Sequence, residues 1–181
     1  MRRAAAWAVG AGLVAAAWGV AALTPADDAS EAPFPVSVAV GERGEGRNVA
    51  ITVEDIRRAS SVSAQDWSAE GNWVVVDLDA AAVTSEPGTT LRLATLETAG
   101  RTFSASERPE SLATQPLAVG IPRSGSVAFE LPDDIEAGEA VLTFGLSSDP
   151  RLDSLIVLQV DLDEIEVQTD AELRPTGWAQ P

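Results

Sequence analysis

Four residue types are missing from the 181-residue chain: cysteine, histidine, lysine and tyrosine. Without cysteine there is no disulfide, no thiolate metal site and no lipidated cysteine anchor. Without histidine the usual general base at neutral pH and the commonest zinc ligand are both gone. Without lysine there is neither a Schiff base nor a phosphate-binding P-loop. Serine is plentiful, but its activation would need an unusual base, and no Gly-x-Ser-x-Gly elbow is present. Paired carboxylates can hydrolyse a glycosidic bond, yet so many acids are available here that no pair stands out. The sequence therefore predicts a protein that is not an enzyme.

Positive charge is scarce as well. Twelve basic residues face 28 acidic ones, for a net charge of −16. Arg2 and Arg3 precede a leading apolar block and no acid does, so the remainder carries 10 against 28, or −18. A surface this acidic repels phosphate backbones, which excludes nucleic acid as a partner, and favours cations or basic partners.

Residues 4–23 form an uninterrupted uncharged run rich in alanine and glycine, with Trp7 and Trp18 within it. A helix of about twenty residues spans roughly 30 Å, the thickness of a bilayer's hydrocarbon core. Arginines before it and Asp27, Asp28 and Glu31 after it orient the amino terminus to the cytoplasm and the remainder outside. The expectation is a single-pass anchor in residues 1–24. The alternative is a cleaved signal sequence and a secreted domain, because small residues stand at plausible cleavage positions around Ala21–Ala22 and Thr24–Ala26. Both readings export the domain beyond residue 24.

Residues 25–35 hold Pro25, Pro33 and Pro35 among acids and small residues, and read as a linker. From 36 to 168 the pattern is one of short strands and turns. The stretch 72–83 (Asn-Trp-Val-Val-Val-Asp-Leu-Asp-Ala-Ala-Ala-Val) is its centre. Trp73 to Val76 are apolar on both faces, as in a strand covered on two sides. From Val76 onward Val76, Leu78, Ala80 and Ala82 alternate with Asp77 and Asp79, which predicts acids on a solvated outer face. Before it, Val49, Ile51 and Val53 share a face while Ile56 falls out of phase, predicting a β-bulge near Glu54–Asp55. Residues 41–46 read as a turn, 60–71 as a polar loop holding Trp67, and 89–105 as a hairpin around Gly100. Further strands are expected at 117–121, at 124–131 before Pro132, at 140–146 and over 154–167. Residues 169–181, with Pro175, Gly177 and Pro181, read as a flexible tail. About eight strands at spacings of about ten residues predict an all-β antiparallel sandwich.

The strand 48–53, the run Gly71-Asn72-Trp73-Val74-Val75-Val76-Asp77-Leu78, the hairpin with Gly100 at its turn and the run Gly125-Ser126-Val127-Ala128-Phe129-Glu130-Leu131-Pro132 occur in an order that resembles the DUF4352-like, immunoglobulin-like extracytoplasmic domains of bacterial membrane-anchored proteins and lipoprotein precursors. The likeness covers roughly 36–167. It implies an immunoglobulin-like fold and a place in the cell envelope, and it brings no catalytic residues. The chain departs from the pattern in two places. Ala81-Ala82-Val83 stand where such domains usually close the central strand on an asparagine, and the lipoprotein cysteine is absent.

The function these features imply is an interaction or structural module of the envelope, contacting another envelope or membrane protein and holding the membrane through residues 4–23. The alternative is a calcium- or carbohydrate-binding module. Calcium takes six to eight oxygens, and Asp133, Asp134, Asp161 and Asp163 are the acids placed at turns or strand ends to supply some. They fit solvated strand faces and turns equally well, and no EF-hand spacing is present. Trp67 is either a surface anchor for a partner or glycan, or a lid folded over the sandwich. Trp73 is read as core.

Overall fold

The computed structural model describes residues 2–23, 31–84, 89–135 and 138–179. Residues 1, 24–30 (most of the linker), 85–88, 136–137 and 180–181 lie outside them. The chain divides into two compact units, Met1–Ala32 and Pro33–Pro181.

In the first unit Arg2–Leu23 is one α-helix, α1. Its run of alanines offers no helix breaker other than Gly10, Gly12 and Gly19. No helix among the described residues is long and apolar enough to cross a membrane.

The second unit is a sandwich of two sheets. One is built from β1 (Phe34–Val38), β9 (Ser154–Asp161), β8 (Glu139–Gly145), β5 (Leu93–Thr98) and β6 (Arg101–Ser104), in that spatial order. The other has β3 (Val49–Ala64), β4 (Trp67–Ala82) and β7 (Arg123–Leu131) at its centre. Four short strands extend it: β2 (Arg43–Glu45), β10 (Val167–Gln168), β11 (Ala171–Glu172) and β12 (Gly177–Trp178). The long strands pair antiparallel, as expected. Three flanking pairs do not: β1 runs parallel to β9, and both β10 and β11 run parallel to β3. The expected all-antiparallel sandwich is therefore a mixed one, because the segments that close its edges return from distant parts of the chain.

Between the sheets lies a core in which Val74, Val76, Leu78 and Phe129 of one sheet meet Leu96, Leu142, Phe144 and Ile156 of the other, all fully buried. Alternation delivers these residues from every strand to one face. The bulge expected near Glu54–Asp55 is present as a register shift between Val53 and Asp55, and it returns Ile56 to the core face. A second shift between Ala59 and Ser61 sends Val62 and Ala64 to the opposite face. The hairpin at Gly100 closes through Ala99 (φ 50°) and Gly100 (φ 70°), with Thr98 paired to Arg101, the two-residue turn that suits strand twist.

Three expectations give way. Residues 60–71 are a tight hairpin turning at Gln65 and Asp66, and Trp67 begins a strand. Its polar residues alternate with Val62, Ala64, Trp67 and Ala69, which cover an outer apolar face. Residues 117–121 form isolated bridges, Ala82 with Val119 and Ala118 with Ile121, rather than a strand. The segment read as a loose tail is instead tied to the second sheet through β11 on β3 and β12 on β7, since Ala171 and Leu173 have an apolar surface to bury against.

Candidate functional site

The outer face of the second sheet holds a small core of its own. Trp73 and Val75 point there, joined by Ala59, Val62, Ala128, Ala171 and Leu173. Trp73 is fully buried, but in this outer layer and not between the sheets. Trp67 is half-buried and meets Trp73 edge to face, ring centres 5.9 Å apart. The Arg108 guanidinium lies 5.4 Å and 5.9 Å from the two ring centres and is held by Glu130 at 2.8 Å. Trp67 is thus folded over the sandwich as a member of the outer layer, and not a free surface anchor. Trp178 lies apart, half exposed, beneath Arg123 at 4.3 Å.

Next to this layer, Asp77 is buried, with 6% of its surface exposed. Arg57 Nη2 donates to both of its carboxylate oxygens, at 2.9 and 3.0 Å, and Ser126 Oγ donates to Oδ1. The C-terminal segment completes the enclosure. Arg57 Nη1 donates to the Glu172 carbonyl at 3.1 Å, and the backbone N–H of Arg174 donates to Ser126 Oγ at 2.7 Å. The expected solvated face fails at Asp77, which is buried, and holds only in part at Asp79, which is half-buried with Oδ1 unpartnered. The ladder of β4 aims its carboxylate outward, and the returning chain then covers it. Every acceptor here is matched by a donor, which is how a buried charge persists, so this cluster is structural.

The four acids considered for calcium do not assemble. Asp134 pairs with Arg101 at 3.3 Å. Asp161 accepts the backbone N–H of Asp163 at 2.9 Å and caps a 3-10 turn over Leu162–Glu164. Asp133 and Asp163 are exposed at the surface. Among the described residues no three acidic groups gather where they could hold a metal ion.

An unfilled space lies elsewhere. After β6 the chain leaves the first sheet for the second. Ala105 N–H still bonds to the Ala94 carbonyl of β5 at 2.9 Å, whereas the next amide, Ser106 N–H, bonds to Ala128 of β7 at 2.7 Å. The crossover parts the sandwich edge and opens a groove of about 490 Å³ between residues 90–95, 104–107 and 111–114. Thr95, Ser104, Ser106 and Ser111 line it with hydroxyls, and Arg92 and Glu107 supply one charge of each sign. Ser111 stands just ahead of the 3-10 turn Leu112–Thr114, yet its side chain caps nothing. Its residue is 2% exposed and its Oγ has no hydrogen-bond partner, a state that costs about 1–3 kcal/mol when nothing satisfies the group. Nothing in the sequence marks this groove, since its hydroxyls are scattered from Thr90 to Ser148 without a motif.

No family model matches the chain. No curated protein matches it either. Among solved structures, an uncharacterized β-sandwich protein from Clostridium difficile 630 is similar, at 13% identity and a TM-score of 0.46, covering 72% of this chain and 97% of that one. The sandwich assignment rests on the chain's own two sheets and their shared core.

Proposed function

We propose that this chain is a membrane-tethered, extracytoplasmic interaction or structural module of a bacterial envelope, an immunoglobulin-like sandwich of the DUF4352-like kind whose work is contact and not catalysis. The observation that carries this reading is the exposed apolar surface of α1. Trp7 and Trp18 are 81% and 77% exposed, and Val9, Leu13 and Val14 are about as open. Apolar side chains this exposed gain stability in lipid or against another protein. Arg2 and Arg3 in the first turn of α1 and Asp27, Asp28 and Glu31 behind it favour a cytoplasmic start and an exported sandwich. The sandwich itself offers protected sites rather than reactive ones: its buried carboxylate is neutralised by Arg57, and histidine, cysteine and lysine are absent.

The test is fractionation and protease access of the full chain with a carboxy-terminal tag in a bacterial host. The tag is expected in the membrane fraction after alkaline wash and to be removed by external protease once the outer barrier is opened. Recovery of a shielded tag from the cytosol overturns the reading. A mature chain beginning near Leu23 or Asp27 would replace the anchor with a cleaved signal and keep the exported sandwich.

A further inference from the structure

We propose that the groove beside the β6–β7 crossover binds a neutral, polyhydroxylated ligand of mono- or disaccharide size. Its volume of about 490 Å³ lies within the range of roughly 300–1,000 Å³ typical of small-molecule sites. Its wall is chemically two-sided. Hydroxyls both donate and accept, as the hydroxyls of a sugar do, and Leu91 and Ala94 offer apolar surface to the C–H side of such a ligand. Arg92 brings a planar fork of donors and Glu107 a pair of acceptors, the complement of adjacent diols. Neither side chain makes a hydrogen bond or ion pair among the described residues, so both are available at the groove.

Charge selects against the ionic alternatives. Arg92 and Glu107 cancel locally, while the chain after Arg3 carries −18, so an anion is repelled at long range. A metal ion finds one carboxylate here and no gathered set. Several buried side-chain polar atoms lack a partner among the described residues, Trp73 Nε1 and Asp79 Oδ1 among them, and Ser111 is the residue of that set that lines the groove. A Ser ahead of a helical turn usually caps it, yet this one does not. A ligand hydroxyl seated in the groove is the partner that would satisfy it. The inference stands independently of the membrane tether, since every residue it uses lies in the sandwich.

The test uses the full chain in lauryldimethylamine oxide micelles, whose headgroup is not a sugar, titrated with glucose, N-acetylglucosamine, maltose and glucuronate by calorimetry and saturation-transfer NMR. At least one of the three neutral probes should bind saturably at one site per chain, with glucuronate at least tenfold weaker than glucose. Ser111→Ala and Arg92→Gln should each weaken that binding tenfold or more. Ser111→Ala removes a hydroxyl that bonds to nothing and relieves the cost of burying it, so its melting temperature should equal or exceed the parent's, and Arg92 is exposed, so its variant folds. Failure of all three neutral probes overturns the proposal. So does neutral binding that both variants leave intact, or glucuronate binding as tight as glucose.

Discussion

Replacing Asp77 is the sharpest perturbation available to this fold. The Asp77 side chain is 9% exposed and the Arg57 side chain 19%, so Asp77→Ala leaves a guanidinium four-fifths buried and stripped of its carboxylate. Removing one member of a buried ion pair costs about 3–5 kcal/mol. Arg57 retains its bond to the Glu172 carbonyl and a 3.6 Å contact with Asp55, which favours the lower end, about 3 kcal/mol. Arg174 adds little to the total, lying 3.7 Å from Asp77 and 42% exposed, as solvent-screened pairs do. Asp77→Asn keeps an acceptor but loses the charge, and should cost about half as much.

Urea unfolding of residues 33–181, the compact unit, measures the loss without screening the pair as a salt denaturant would. The Asp77→Ala midpoint should fall with little change in slope, and the melting temperature should drop by about 6–12 °C at 2–4 °C per kcal/mol. The paired change Asp77→Leu with Arg57→Met should recover most of the loss, because an apolar pair of similar bulk carries no desolvation cost. An Asp77→Ala variant within about 1 kcal/mol of the parent, or a double variant as unstable as the sum of its singles, refutes the argument that this pair is buried and coupled.

Truncation after Asp170 removes Ala171 and Leu173 from the outer layer; burial of a leucine is worth about 1.5–3 kcal/mol, so the domain should lose at least that much and its tryptophan emission should move to the red, whereas an unchanged spectrum would show that the segment does not cover Trp73. Glu139 stands directly opposite Asp161 across β8 and β9. Relieving that like-charge pair with Glu139→Gln should raise stability by about 0.2–1 kcal/mol, a gain that must shrink at high salt if its origin is electrostatic. Asp149, bonded by Arg151, should titrate below the ordinary aspartate range. Its contribution to stability is present above that range and fades as pH falls through the depressed value, and carboxyl NMR of Arg151→Ala should return it upward. Adding calcium should leave the melting temperature where it is, because Asp134 is held by Arg101 and Asp161 by the turn it caps; a rise of several degrees would reveal a site that these residues do not form.

The centre of the sandwich was legible because β4 writes its two environments directly into sequence. Trp73 to Val76 are apolar on both faces, and the structure covers both. The bulge at Glu54–Asp55 was legible for a related reason: a single slip in a period of two has few other causes. The fate of Asp77 was not. Alternation reports which face a residue joins but not what later lies over it, and the covering segment is the two-residue β11 and the residues up to Arg174, about a hundred positions away. It carries no periodicity of its own, and Pro175 and Gly177 just beyond give it the composition of a tail. The hairpin at 60–71 was hidden by its serines, although Val62, Ala64, Trp67 and Ala69 hold the rhythm. The groove was the least readable element, since it arises from where the chain changes sheets at Ala105 and Ser106, a decision fixed by tertiary pairing.

Parallel pairing of β1 with β9 joins Phe34 to Ser154 and Val38 to Leu158. That single registry spans almost the whole sandwich, and β11 repeats the arrangement by returning residue 171 to Val62. A ribosome makes these partners far apart in time, and closing so large a loop is slow. Until residues 171–174 emerge, Trp73 and the Asp77 carboxylate have no roof, so the nascent domain holds an apolar and charged surface open until long after its central strands are made.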